Sequence, residues 1–449
     1  MSDQVPGSRS GDTRHRVSGG AAPPSADGPS GGAPSPLPWS DTAPSRIAED
    51  WARSGLPLLT GHPDGPPLLP PGAAATFASW LADAVARAGG ARLDGARLLA
   101  ERAALSGRGR RGRLSVGGSC RLLPTRDGWA AVSDARPDDP LLWSALIGRD
   151  LDAGALPARL TDWLAAHDGA DLDERVELLG LAGGAVRPLP ERTCPLPGPP
   201  RDVAGLLVVD FSALWAGPLC AHLLGSAGAR VVKVEIPSRP DGARFGDPAF
   251  YDLLHAGHRS VVLDPTDARG RAALHELVGR ADVVIEASRP RALAGFGIDA
   301  GAAAARGCTW ISITAHGRAS GRIGFGDDVA ASRGLLAPDA DGRPVFAGDA
   351  IADPLTGLLA AALALSEQPG GGGALWDVSM ADVVSTCLSV SADGARLVRR
   401  GTRGEDWLVD TGHTAFPLAA PRPRRAVAAA SASGADTATV LRGLGIRVP

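Results

Sequence analysis

Five short apolar runs stand out between residues 206 and 314: LLVVDF (Leu206–Phe211), RVVKVEI (Arg230–Ile236), SVVLD (Ser260–Asp264), DVVIEAS (Asp282–Ser288) and TWISIT (Thr309–Thr314), with a further strand pattern at Ala374–Val378. Segments of helical period separate most of them. Near-continuous apolar strands alternating with helices predict parallel strands buried on both faces and joined by right-handed crossovers, a doubly wound α/β sheet. Ligands of such sheets gather at the carboxyl ends of the strands, which makes Asp210-Phe211-Ser212, Glu235, Ser288 and Thr314 positional candidates.

The pattern upstream is different. Ala74–Arg87 and Leu93–Leu105 carry helical spacing, and GRLSVGGSCRLLPTRDGWAAVSD reads as short strands turning at Asp127-Gly128, so residues 43–192 form an α+β region. TCPLPGPPRD (Thr193–Asp202) holds four prolines and no apolar period, the mark of a linker. Residues 203–449 then form the sheet domain. Residues 1–42, rich in Gly, Pro and Ser, are too poor in large apolar residues to offset the entropy of ordering and are expected to be disordered.

Composition narrows the function. A chain of 449 residues, 44% hydrophobic, can bury two or three packed units, and 46 Lys+Arg against 49 Asp+Glu leaves no excess of positive charge for nucleic acid or an anionic membrane. Almost all the positive charge is arginine, since Lys233 is the sole lysine. The five cysteines form no C-x-x-C pair, the first residues lack an apolar segment, and Leu355–Leu365 is too short to span a bilayer. A reduced, cytoplasmic protein is expected. SAGARVVKVE lacks the G-x-G-x-x-G of a dinucleotide site, Gly370–Gly373 has no following lysine and reads as a turn, and His255, His258 and His316 are not spaced as metal ligands, so no metal is expected.

One carboxylate has a better context. In GDAIADPLTG, Asp353 precedes Pro354 and opens a strongly apolar helix, with Asp349 in the loop before it. Asp353 is placed at the N-cap or first turn of that helix, and a helix N-terminus also stabilises a carboxylate anion and keeps it ionised at neutral pH, as a nucleophile requires.

VVDFSALWAGPLCAHLLGSAGARVVKVEIPSRPDGARFGDPAFYDLLHAGHRSVVLD, ADVVIEASRPRALAGFGI, WISITAHGRASGRIGFGDD and GRPVFAGDAIADPLTGLLAAALAL, in this order, resemble the class III CoA-transferases, the superfamily of formyl-CoA transferase, carnitine CoA-transferase and α-methylacyl-CoA racemase. The likeness runs from about Leu206 to Leu388, and HTAFPLAAPRPRR and GADTATVLRGLGI look like the family's closing segment. It implies a Rossmann-like CoA-transferase domain with coenzyme A as substrate, no permanently bound cofactor and a homodimer. It also implies that Asp353 attacks an acyl-CoA thioester and carries CoA as an aspartyl thioester to an acceptor acid.

By the same resemblance Trp215, Arg244, Leu263, Ser288, Arg289, Phe296 and Thr314 fall at or beside CoA-contacting positions. Thr266, Gly295 and Thr314 stand where that branch can present cations, so phosphates would turn to Arg244, Arg259, Arg289 or Arg291. Asp327 occupies the place of the racemases' histidine, which leaves racemisation as the alternative activity and a non-catalytic CoA-binding subunit as the alternative class. Only 96 residues follow Asp353, whereas the family's small domain follows its nucleophile, and CRLLPTRDGWAAVSDARPDD resembles part of that small domain. A permuted layout, with the small domain first, is expected.

Overall fold

The computed structural model describes residues 39, 42–152, 154–187, 193–288, 291–391, 394–400 and 406–449. The turn at Asp127-Gly128 joins β1 (Cys120–Pro124) to β2 (Trp129–Ser133) in antiparallel register, Pro124 opposite Trp129, and β3 (Gly183–Ala185) pairs with the other edge of β2. Three helices, Asp139–Ile147, Leu156–Ala166 and Gly169–Leu179, pack over this sheet through Val132, Trp143, Leu164, Leu172 and Val176.

The apolar runs of the second half become β4 (Leu207–Asp210), β5 (Arg230–Glu235), β6 (Arg259–Val262), β7 (Val283–Glu286) and β8 (Thr309–Thr314). A short antiparallel hairpin, β9 (Leu336–Pro338) and β10 (Pro344–Phe346), precedes the helix Ala352–Ala364, after which β11 (Ala374–Ser379) returns to pair with β8. The order across the sheet is β11-β8-β7-β4-β5-β6 and every pairing is parallel. Chain direction across the sheet reverses between β4 and β7, the topological switch point at which such sheets bind ligands.

Both faces are covered, as the unbroken apolar runs require. Val208, Ile285, Ile311 and Ile313 enter the core beneath the helices Ala216–Ser226 and Ala352–Ala364, while Val209, Val234, Val284 and Trp310 enter a second core with Leu274, Leu277 and Leu441. The last helix, Thr437–Gly443, closes the edge at β6: Ser260 N–H donates to Asp436 at 2.9 Å and Val262 N–H to Thr437 Oγ1 at 3.0 Å. Strands Arg396–Arg400, Asp406–Asp410 and Ala415–Pro417 make a separate antiparallel sheet beside the helix Pro44–Ser54.

The first core also takes in Trp51, Phe77 and Leu81, because helix Ala74–Arg87 packs against Ala352–Ala364. Apart from Trp39 and Thr42, the stretch expected to be disordered lies outside the described residues. Trp39 is buried, its ring 4.5 Å from Phe77 and 4.9 Å from Trp80, so packing begins before the boundary at residue 42 drawn from composition. The single helix expected over Leu93–Leu105 is two, Gly95–Leu98 and Glu101–Ser106. Gly95 lies against the Ala78 carbonyl, where any Cβ would collide, so the first turn is pressed onto the neighbouring helix and the chain is redirected after it. Among the described residues no helix is long and apolar enough to cross a membrane.

Candidate active site

Every residue of the helix Ala352–Ala364 is buried except Asp353, in its first turn. A helix apolar on all sides belongs in an interior, so the one carboxylate at its start marks where that interior meets the surface. Of the two places expected for it, N-cap or first turn, Asp353 takes the first turn. Ile351 holds the cap position with helical dihedrals and no side-chain cap bond, and the Asp353 carboxylate instead lies against Gly326, at the start of helix Gly326–Ser332. A Cβ at 326 would collide with Asp353 Oδ2 and with the Ala350 carbonyl. Glycine there lets the two helix starts approach.

Three more carboxylates and one cation complete the cluster. Asp349 is buried and takes a bidentate pair from Arg102, Nε to Oδ2 at 2.8 Å and Nη2 to Oδ1 at 2.5 Å. Asp327 Oδ1 accepts the Ala350 N–H at 2.8 Å, holding a non-glycine residue in the left-handed region at φ 45°. Asp328 accepts from Ser133 Oγ at 2.7 Å and from Phe325 N–H at 3.0 Å, which ties β2 to this helix start.

Burial pushes the Asp353 carboxyl up to about 7; Arg102 opposes the rise, while Asp327, Asp328 and Asp349 add to it. Burial and Asp349 push Asp327 up to about 6 against Arg102, and burial pushes Asp328 up to about 7. The expectation that the helix N-terminus keeps Asp353 fully ionised at neutral pH is therefore corrected. Desolvation and three like charges outweigh it, and the carboxyl is poised near neutrality.

The residues matched to CoA contacts lie along the carboxyl edge of the sheet. Trp215 is buried at the start of helix Ala216–Ser226, edge-on to Phe250 at 5.3 Å, with the Arg102 guanidinium 4.9 Å above its ring, which joins the switch point to the acid cluster. Arg244 pairs with Glu235, Nε to Oε1 at 2.9 Å, and stacks 4.5 Å over Tyr251, which engages its Nε and Nη2 and leaves Nη1 with a 3.5 Å contact to the Ser431 carbonyl. Arg259 pairs with Asp436 at 2.9 Å. Thr314 donates to Asp377 Oδ1 at 3.0 Å, Ser288 is half-buried beyond β7, and Arg289 lies outside the described residues. Leu263 and Phe296 belong to the second core, Leu263 fully buried and Phe296 packed on its rim.

Other candidates are structural. Lys233 is buried 2.9 Å from Asp241 Oδ2 and 3.8 Å from Asp210 Oδ2, and donates to the Ser212 carbonyl, which occupies Asp210 and Ser212. Gly370–Gly373 turns into β11 at the opposite end of the sheet from Thr314. Sequence reasoning missed Arg102 and Asp328. No spacing ties Arg102 to Asp349, 247 positions away, and only the adjacency of Asp328 to Asp327 could have drawn notice.

A family model described as CoA-transferase family III matches residues 203–410. The succinate–glutarate CoA-transferase of Agrobacterium fabrum is 30% identical over 219 residues, covering 43% of this chain and 54% of that protein. The formyl-CoA:oxalate CoA-transferase of Escherichia coli is 28% identical over 230 residues, covering 44% and 52%. A CAIB/BAIF family protein from Brucella suis of known structure is 29% identical over 42% of this chain and 56% of that one, with a TM-score of 0.39. The chain thus spans about half the length of the curated relatives it matches.

Proposed function

We propose that this chain, whose residues 203–410 belong to CoA-transferase family III, moves coenzyme A from an acyl-CoA to a carboxylic acid with Asp353 as nucleophile. The observation that carries this reading is Asp353 itself: the one incompletely buried residue of its helix, its carboxyl poised at about 7 inside a group of carboxylates of which Asp349 is held by Arg102. Half-ionised at neutral pH, such a group offers a strongly basic carboxylate without a large cost of deprotonation.

The chemistry balances without redox change. A carboxylate oxygen of Asp353 attacks the thioester carbonyl and CoA leaves as its thiolate, giving a mixed anhydride. The thiolate then attacks the Asp353 carbonyl, releasing the donor acid and leaving an aspartyl-CoA thioester. The acceptor carboxylate attacks that thioester, CoA leaves again, and its attack on the acceptor side of the second anhydride frees Asp353 and the new acyl-CoA. Peptide N–H groups at the start of the helix favour the oxyanions formed at each step. We place the reaction in the cytoplasm, where the five buried, unpaired cysteines would stay reduced, and in a homodimer as the family resemblance implies.

Incubation with a panel of acyl-CoAs, followed by peptide mass spectrometry, tests the reading. A CoA adduct on the peptide holding Asp353, sensitive to hydroxylamine and borohydride and absent from Asp353→Ala, is the expected result. Turnover by Asp353→Ala, or α-proton exchange by the wild type without CoA transfer, would overturn it.

A further inference from the structure

We propose that Arg102 is a positioning residue of the Asp353 site, supplied within the same chain by an N-terminal segment that is a second, chemically silent copy of the segment carrying Asp353. The role given to Arg102 rests on the reading of Asp353 as nucleophile; the copy does not.

GLPLLTGHPDGPPLLPPGAAAT (Gly55–Thr76) and GLLAPDADGRPVFAGDAIAD (Gly334–Asp353) share Gly-Leu, Asp-Gly-x-Pro and Ala-x-Ala at matching places, the first copy being longer before its Asp-Gly. The structures run in step. Gly55 and Gly334, at φ 72° and 88°, close the helices Pro44–Ser54 and Gly326–Ser332. Each then folds back on itself: Leu68 N–H donates to the Thr60 carbonyl at 3.1 Å around Asp64-Gly65, as β9 and β10 pair around Asp341-Gly342. Each leads into a longer helix, Ala74–Arg87 or Ala352–Ala364, and these two pack together. Even the neighbours correspond, since Pro44–Ser54 packs on Ala74–Arg87 and Gly95–Leu98, and Gly326–Ser332 on Ala352–Ala364 and Met380–Leu388.

The chemistry is not repeated. Thr76 stands where Asp353 stands, and the carboxylate buried beside it, Asp50, is held by Arg53 at 2.7 Å and Arg46 at 3.3 Å. This copy keeps the scaffold and has no nucleophile. Beyond it the chain enters the helix Glu101–Ser106, pinned where Arg424 Nε and Nη2 each donate to Glu101 at 2.7 Å. That anchor directs Arg102 across to Asp349 and over Trp215. The charged groups acting on Asp353 come from three places: Asp327 and Asp328 on helix Gly326–Ser332, Asp349 on the preceding loop, and Arg102. Arg102 pairs with Asp349 and is the cation acting on Asp327 and Asp353 as well, and its loss would leave Asp353 protonated at pH values where attack requires the anion.

Arg102→Gln and Arg102→Lys in the full chain test this. The rising limb of adduct formation against pH is expected to move up by about one unit in Arg102→Gln and to stay near wild type in Arg102→Lys. The 13C titration of the Asp353 carboxyl, assigned through Asp353→Asn, should move in the same direction with no substrate present. An unmoved titration in folded Arg102→Gln, or an equal shift in Arg102→Lys, overturns the positioning role. Recovery of activity on mixing Arg102→Gln with Asp353→Ala chains would overturn supply within one chain; no recovery supports it. Should the wild type form no adduct while the carboxyl titration still shifts, the nucleophile reading falls and the role of Arg102 in holding the Asp353 charge stands.

Discussion

At the scale of single residues, the buried carboxyls decide how the protein responds to pH. Asp328, pushed up to about 7 by burial, keeps its proton in the folded state at pH values where an unfolded aspartate has released it. The folded state therefore binds more protons between about pH 4 and 7, so stability from this group is present in acid and is lost as pH rises through that window. Asp328→Asn keeps an acceptor for Ser133 and Phe325 without a charge to bury. It is expected to match wild type in urea unfolding at pH 5 and to exceed it at pH 8 by on the order of 2 kcal/mol; equal midpoints at both values would refute the shift. Asp349→Asn takes a like charge away from Asp353 and loosens Arg102 toward it, so the adduct should still form, with its rising limb moved to lower pH. Asp353 drew notice as a carboxylate beside proline at the head of an apolar run, which by spacing alone reads as a helix cap, and the role proposed for it came from the family resemblance. Arg102 was not, because an arginine in an ordinary helix carries no sign of the partner it meets far along the chain.

At the scale of elements, close contact between helices rests on small residues. Gly357 in Ala352–Ala364 faces the Ala216 carbonyl, and a Cβ there would lie 2.6 Å from that oxygen and 3.1 Å from Leu219 Cβ. Alanine is the better helix former, yet here it must push two buried helices apart. Gly357→Ala is expected to cost about 1–3 kcal/mol, read as a lower urea midpoint, and to slow adduct formation because Trp215 adjoins Ala216. An unchanged midpoint would show that the helices can separate freely. The six strands of the parallel sheet were legible to within two residues at each end, since a parallel strand buried on both faces leaves an uninterrupted apolar run. The break near Leu99 was not, because helical period persists across it and only contact with Ala78 forces the turn.

At the scale of the whole molecule, the two halves share one interior. Trp51, Phe77 and Leu81 lie in the same core as Leu219, Leu358 and Leu363, so separating the halves would expose apolar surface on both. A fragment of residues 203–449 made alone is expected to aggregate or to unfold without a cooperative transition, whereas the full chain should melt in a single step; a soluble, active fragment would contradict this. The change of period near residue 200 suggested a division there, but the joint core could not be read, since apolar spacing shows that a face is buried and not what covers it.

The burial of Lys233 between Asp210 and Asp241 has a consequence for the outer surface. With the sole lysine inside, the side-chain cations outside are arginines and histidines, and guanidinium groups neither lose their proton in the physiological range nor accept an acetyl group at lysine-directed enzymes. The arginine share of this protein's exterior charge is thus fixed across the physiological range, and its side chains offer no lysine for acetylation, ubiquitin conjugation or amine-directed coupling. An experimenter wishing to tether or label the folded chain through a side-chain amine would find none within reach.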